Sequence, residues 1–183
     1  MLKEHPALLV GIASVALIVL GGIRCSDQKT NNQPTAHTAE DVKRELGFDP
    51  LLPAFIPELT NKEPRYDLEV DSKKVQITYS PEAGGEGPSA AYVLISESAF
   101  PVVPGGELRP EQIDGVPVNV GEYPGTTGTT GMSASLTVYW RQCDLAMSAN
   151  FAWAGKGDQR LLLTDEMRAV GFKVVESIIR QEC

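Results

Sequence analysis

Histidine is almost missing from this chain: of 183 residues, only His5 and His37 carry an imidazole. Both lie ahead of residue 39, where the folded domain is expected to begin. Ser-His-Asp and Cys-His catalysis are therefore excluded within that domain, and so are zinc sites containing histidine. Cysteine is scarce as well. Cys25, Cys143 and Cys183 are all there are, and two domain cysteines are too few for a thiolate zinc site. Basic residues are outnumbered, 16 Lys and Arg against 24 Asp and Glu, for a net charge of −8. Binding nucleic acid needs clustered Lys and Arg, so no nucleic-acid partner is expected. There is no GxxxxGK[ST] loop to cradle a phosphate; Gly84-Gly85-Glu86-Gly87 is glycine-rich but acidic and lacks a following lysine. Asp67, Glu69 and Asp71 fall on the solvent face of an alternating strand, which reads as a solvated face, not as an acid/base pair or calcium site. No catalytic residue, cofactor or metal is assigned, and a non-enzymatic protein is expected.

What the chain does contain is an unbroken apolar run, Ala7–Ile23, with no charge in 17 residues. As a helix it would be roughly 26 Å long, at the short limit for a bilayer core of about 30 Å. Lys3 and Arg24 can snorkel to the headgroups on either side. Residues 1–25 are expected to be an N-terminal membrane helix, with the membrane as partner through residues 7–23. Two other readings stay open. A cleaved secretory signal has only Val19-Leu20-Gly21 as a cleavage match, inside the apolar run. A bacterial lipoprotein would be lipidated at Cys25, but Gly22-Ile23-Arg24-Cys25 departs from a Leu-small-small-Cys pattern. Ser26–Thr38 is almost free of apolar residues and reads as a flexible tether over residues 26–38.

Residues 39–183 then form one globular domain, long enough for a single core. Thr38 with Glu40 and Asp41 reads as the start of a helix over 39–46 that ends at Gly47. Phe48–Pro57 holds three prolines among large apolar residues, hence an extended segment across a core or sheet edge. Alternation places Tyr66, Leu68 and Val70, then Val75, Ile77 and Tyr79, inward on a hairpin turning at Asp71–Lys74. Ala91–Ser96 reads as a buried strand. Ile113–Tyr123 contains an Asp114-Gly115 turn followed by an edge strand marked by Pro117. Gly121–Gly131 reads as a long flexible loop. The clearest hairpin runs over 133–153, with Ala134, Leu136, Val138 and Trp140 facing Leu145, Met147, Ala149, Phe151 and Trp153, and a turn at Arg141-Gln142. A closing helix starts at the N-cap Thr164 and carries Met167, Val170, Gly171, Val174, Val175 and Ile178 on one stripe. The expected fold is α+β: a predominantly antiparallel sheet with a C-terminal helix packed on one face, preceded by the N-terminal membrane helix.

In an oxidising compartment Cys143 and Cys183 are natural disulfide partners. Closing a loop of 41 residues is worth roughly 4 kcal/mol in the chain-entropy model. The pairing is also the reason to place the domain outside the cytoplasm.

Leu52-Pro53 and Ile56-Pro57, a strand ending in Thr78-Tyr79, a strand ending in Trp140, and Val174-Val175-Glu176-Ser177-Ile178 in the last helix together form a pattern. Over about residues 50–181 it resembles the bacterial extracytoplasmic domains grouped as a DUF4367-like family. The resemblance implies a domain attached to a single span. Some such domains form the outer half of anti-sigma factors, but six residues before the apolar run leave no room for a cytoplasmic sigma-binding part. No catalytic residue carries over. The expected function is that of a membrane-tethered extracytoplasmic domain that binds a protein or an envelope component. The alternative is a lipoprotein or a small-ligand or lipid carrier with an apolar pocket under the sheet.

Overall fold

The computed structural model of the chain describes residues 37–83, 87, 90–102, 107–123, 134–153 and 162–183. All fall within the compact unit Pro34–Cys183. The apolar run and Cys25 lie outside the described residues. Among the described residues no helix is long and apolar enough to cross a membrane.

The fold is α+β. Its elements follow in the order α1 (Ala39–Leu46), β1 (Arg65–Glu69), β2 (Lys74–Tyr79), β3 (Tyr92–Ser98), β4 (Arg109–Ile113), β5 (Val116–Tyr123), β6 (Ala134–Gln142), β7 (Leu145–Trp153) and α2 (Asp165–Ile179). The strands make one seven-stranded sheet in the order β1-β2-β3-β7-β6-β5-β4, and every neighbouring pair is antiparallel.

One face of this sheet is the core. It presents Val75, Ile77, Val93, Ile95, Leu136, Val138, Ala149 and Phe151, all fully buried. α2 lays Met167, Gly171, Val174, Val175 and Ile178 on it, the stripe expected from the sequence except that Val170 is only half-buried. α1 adds Val42 and Leu46 to the same core. Its start is a capping box: the Asp41 N–H donates to Thr38 Oγ1 (3.3 Å), while the Thr38 N–H donates to Asp41 Oδ2 (2.8 Å). Gly171 sits where α2 comes closest to the sheet. A Cβ there would lie 2.6 Å from Leu136 Cδ2 and 3.3 Å from Phe151 Cδ2. The missing side chain costs helix propensity of about 1 kcal/mol and permits this approach.

Segment 48–57 is the extended strap that its prolines require. Leu51 is buried, and Phe48, Leu52, Phe55 and Ile56 pack on the core. Its backbone is tied to α2, with Phe55 N–H donating to Ser177 Oγ (3.2 Å) and the Gln181 side-chain amide donating to the Leu52 carbonyl.

Several local expectations are corrected. His37 bridges to Tyr66, so one residue of the expected tether, a histidine, joins the sheet edge. The first hairpin turns over Val70–Lys73, with Lys73 in the left-handed region (φ 44°). Val70 is therefore in the turn and exposed, and does not face inward. β3 continues to Ser98, two residues beyond the expected end. β4 had no sequence counterpart; Asp114-Gly115, both with positive φ, joins it to β5. β5 is thus second from the edge, not an edge strand. Pro117 is tolerated there because pairing with β6 begins only at Asn119. Gly121–Tyr123 belong to β5 and are not loop; residues 124–131 lie outside the described residues. The β6–β7 turn is Cys143-Asp144, with φ of 51° and 64°, and Gln142 pairs with Leu145. Arg141 and Gln142 are strand residues, not the turn.

Candidate functional site

The second sheet face differs in kind from the first. The alternate residues on it are Ser96 and Ser98 of β3, Ser135, Thr137, Tyr139 and Arg141 of β6, and Ala146, Ser148 and Asn150 of β7. Those of β6 and β7 alternate against the apolar stripe, yet Thr137 and Ser148 are buried, as are Ser96 and Ser98 of β3. Thr137 Oγ1 donates to Asn150 Oδ1 across the strands (2.8 Å). Among the described residues, both helices and the strap lie on the core face. The described ends of the connection from β3 to β4 stand on the second face: Pro101 and Val102 line a groove there, and Leu108 Cδ2 stands 3.0 Å from where a Cβ of Gly121 would be.

The groove, open to solvent, has a volume of about 440 Å³. Pro101 and Val102 wall it, and Pro110, Pro117, Asn119, Tyr139, Arg141 and Ala146 give its floor from four strands. Register explains the convergence: Asn119 stands opposite both Pro110 and Tyr139, and Arg141 stands opposite Ala146. The lining is chiefly apolar, with Asn119, Arg141 and the Tyr139 hydroxyl as polar groups on this face, the usual make-up of a binding pocket. Arg141 is exposed. Its guanidinium donates to the Asp144 carbonyl (3.3 Å), and among the described residues it has no carboxylate within ion-pair distance. The other described arginines, Arg44, Arg65, Arg109, Arg168 and Arg180, all have one.

Glu111, which also borders the groove, turns to the core face. Arg168 of α2 donates to both its oxygens (2.5 and 2.6 Å) and stacks its guanidinium over Phe172. Arg168 Nε lies 2.9 Å from Glu122 Oε1, with its N–H not aimed at that oxygen, and Arg109 closes the cluster on Glu122 (2.6 Å). Polar residues on the core side of β4 and β5 thus have a structural use, anchoring α2 to the sheet edge.

A carboxyl lies within the core itself. Glu97 follows Val93 and Ile95 on the inward face of β3, stands opposite Val75 and Met147, and is fully buried. Oε1 accepts the Leu51 N–H of the strap (2.9 Å), and Oε2 has no partner. Burial pushes its pKa up to about 8, against the lowering effect of the Leu51 N–H. Near it, burial also raises the Tyr79 and Tyr66 hydroxyls. Sequence reading missed Glu97 because it ended the strand at Ser96. The signal was there: Val93, Ile95 and Glu97 share one parity.

Of the residues singled out from sequence, Cys143 and Cys183 are brought together as a disulfide, with Cα atoms 5.2 Å apart. Gln142 reinforces this junction, its side-chain amide donating to the carbonyls of Ile178, Ile179 and Gln181. Asp67, Glu69 and Asp71 are exposed; Glu69 pairs with Lys74 (2.9 Å) and Asp67 with Arg65 (3.2 Å). Among the described residues no group of three or more His, Cys, Asp or Glu is arranged to hold a metal ion. No family model matches the chain, and no curated protein or solved structure matches it either.

Proposed function

We propose that this protein is a membrane-tethered, extracytoplasmic, non-enzymatic domain of bacterial type that binds a protein or envelope component through the open face of its sheet. The observation that carries the reading is the division of labour between the two faces. The strap, α1, α2 and the Cys143–Cys183 junction hold the core face, while the groove under Pro101 and Val102 lies on the other. Residues 7–23 supply the tether, and the disulfide favours an oxidising compartment. The DUF4367-like resemblance is in keeping with both. Lipidation at Cys25 is the alternative form of attachment. An apolar carrier pocket under the sheet finds less support, since α2 and the sheet are in direct contact at Gly171.

The test is a photo-reactive residue placed in the full chain in intact cells, at position 139 in the groove or at position 169 on the exposed side of α2. A discrete adduct from position 139 alone is expected. The same adducts from both positions, or none from either, refute binding through the open face. Intact mass of the membrane-extracted protein, with thiols alkylated before and after reduction, tests attachment and compartment. Full-length mass with only Cys25 reactive before reduction is expected. A mass beginning at an acylated Cys25 establishes the lipoprotein form. Cys143 and Cys183 both reactive beforehand refute the outside location.

A further inference from the structure

Resting on that reading, we infer that the groove takes an extended peptide segment in which an apolar or proline residue sits beside a carboxylate, with Arg141 as the carboxylate's partner. The charge pattern leads to this occupant. In a protein of net charge −8, every described arginine but Arg141 is already matched to an acid. Arg141 is on the same face as Tyr139, two residues away on β6, so a guanidinium fork and an aromatic ring line the same groove. Guanidinium is suited to planar, two-point contact with a carboxylate. Pro101, Pro110 and Pro117 add rigid apolar surface around Tyr139, and Asn119 offers both a donor and an acceptor to a passing backbone.

The groove's shape favours peptide over lipid. It is open to solvent, so an acyl chain laid in it would stay partly wetted, whereas binding sites for apolar ligands enclose most of the ligand's surface. Proline and aromatic side chains along an open groove are the surface on which extended, preorganised peptide segments dock. The acidic net charge opposes long-range approach of such a segment. Recognition is therefore short-range and depends on Arg141 itself.

The experiment uses the full chain in nonionic detergent and two fluorescein-labelled peptides, Ser-Pro-Leu-Val-Pro-Glu-Ser and the same sequence with Gln for Glu, read by anisotropy. The Glu peptide is expected to bind about five-fold more tightly than the Gln peptide, the effect of one partly exposed charge-assisted contact. Arg141→Gln is expected to erase the difference, and Arg141→Lys to restore part of it. Equal binding of the two peptides to the wild-type chain overturns the carboxylate assignment and leaves peptide docking on the open face intact. Displacement of the Glu peptide by decanoate in an Arg141-dependent way overturns the peptide assignment in favour of an amphiphile. Failure of either peptide to bind by about 1 mM, a weak limit for a small interface, overturns the inference outright. The cross-link from position 139 then reports separately on whether the open face binds anything.

Discussion

Replacing Glu97 by glutamine should stabilise the folded domain at neutral pH and remove most of its pH dependence between about 5 and 8. The carboxyl has an ordinary pKa of 4.5 when the chain is unfolded and about 8 when buried. Below 4.5 the group is protonated in both states, and its contribution to stability is fully present. Between the two values the native state keeps a proton that the unfolded chain releases. Stability therefore falls as the pH rises, by about 1.4 kcal/mol per pH unit. Over the whole interval the loss comes to about 5 kcal/mol, and by pH 7 it is about 3 kcal/mol. Glutamine is neutral throughout and keeps an oxygen to accept the Leu51 N–H, so the Glu97→Gln variant should lose neither the bond nor the strap. Other shifted groups act outside this interval. Hydrogen bonds from Thr38 lower the Asp41 pKa, and Lys74 lowers that of Glu69; any stability tied to them is lost only as the pH falls. Tyr66 and Tyr79 are raised by burial and titrate on the alkaline side.

Thermal melting of the full chain, followed by near-UV circular dichroism at several pH values, reads this directly. A change of 1 kcal/mol moves Tm by about 2–4 °C in a chain of this size. The wild type should then lose about 3–5 °C per pH unit. The Glu97→Gln variant should melt at a nearly constant temperature, and above the wild type at pH 7. A flat wild-type profile would show that the buried carboxyl ionises normally. A parallel decline in both proteins would put the pH dependence elsewhere.

Two further outcomes follow from the core face. Replacing Cys143 and Cys183 with serine should cost up to about 4 kcal/mol, by releasing a 41-residue loop in the unfolded chain. Amide exchange should show the last turn of α2 loosening first, since Gln142 alone would then hold its carbonyls to β6. Gly171→Val should destabilise by about 2–3 kcal/mol in thermal melts, because a Cβ already meets Leu136 and Phe151 and a branched side chain must push α2 off the sheet.

Alternation and capping made much of the fold legible. Both helix starts and the inward faces of β2, β6 and β7 follow from them, because period 2, period 3.6 and N-cap chemistry are local signals. Register was not legible in the same way. A turn at Arg141-Gln142 would pair Trp140 with Cys143, whereas Trp140 pairs with Met147. Both arrangements put the same residues inward, so hydrophobic alternation cannot tell them apart; only slips that change parity are penalised. β4 escaped for another reason. Its core-facing Arg109 and Glu111 are polar because they meet Arg168 and Glu122, a tertiary fact with no sequence period. Cys143 and Cys183 were legible as partners in an oxidising compartment, and the fold brings them together. The groove was not, since Pro101, Pro117 and Arg141 are 16 and 24 positions apart in the chain and meet only once the sheet is assembled.

The sheet order gives this arrangement a direction. The chain enters the described domain at His37, paired to Tyr66 of β1, which is one edge of the sheet. The groove is built chiefly on β4, β5 and β6, at the other edge. Strands spaced about 4.8 Å apart put roughly 24 Å between β1 and β5. Segments arriving at His37 therefore join the domain at the edge remote from Arg141, and the strap and α1 that follow turn onto the core face. Glu97 acts on the core face through the strap and Val75, and it reaches the groove only through its cross-strand neighbour Met147. Glu97→Gln should therefore leave the loss of peptide binding caused by Arg141→Gln unchanged, and Arg141→Gln should leave the stability gained by Glu97→Gln unchanged. A coupling beyond about 0.5 kcal/mol would mean that the strap, through β3 and β7, reaches the groove, and that the two faces work as one.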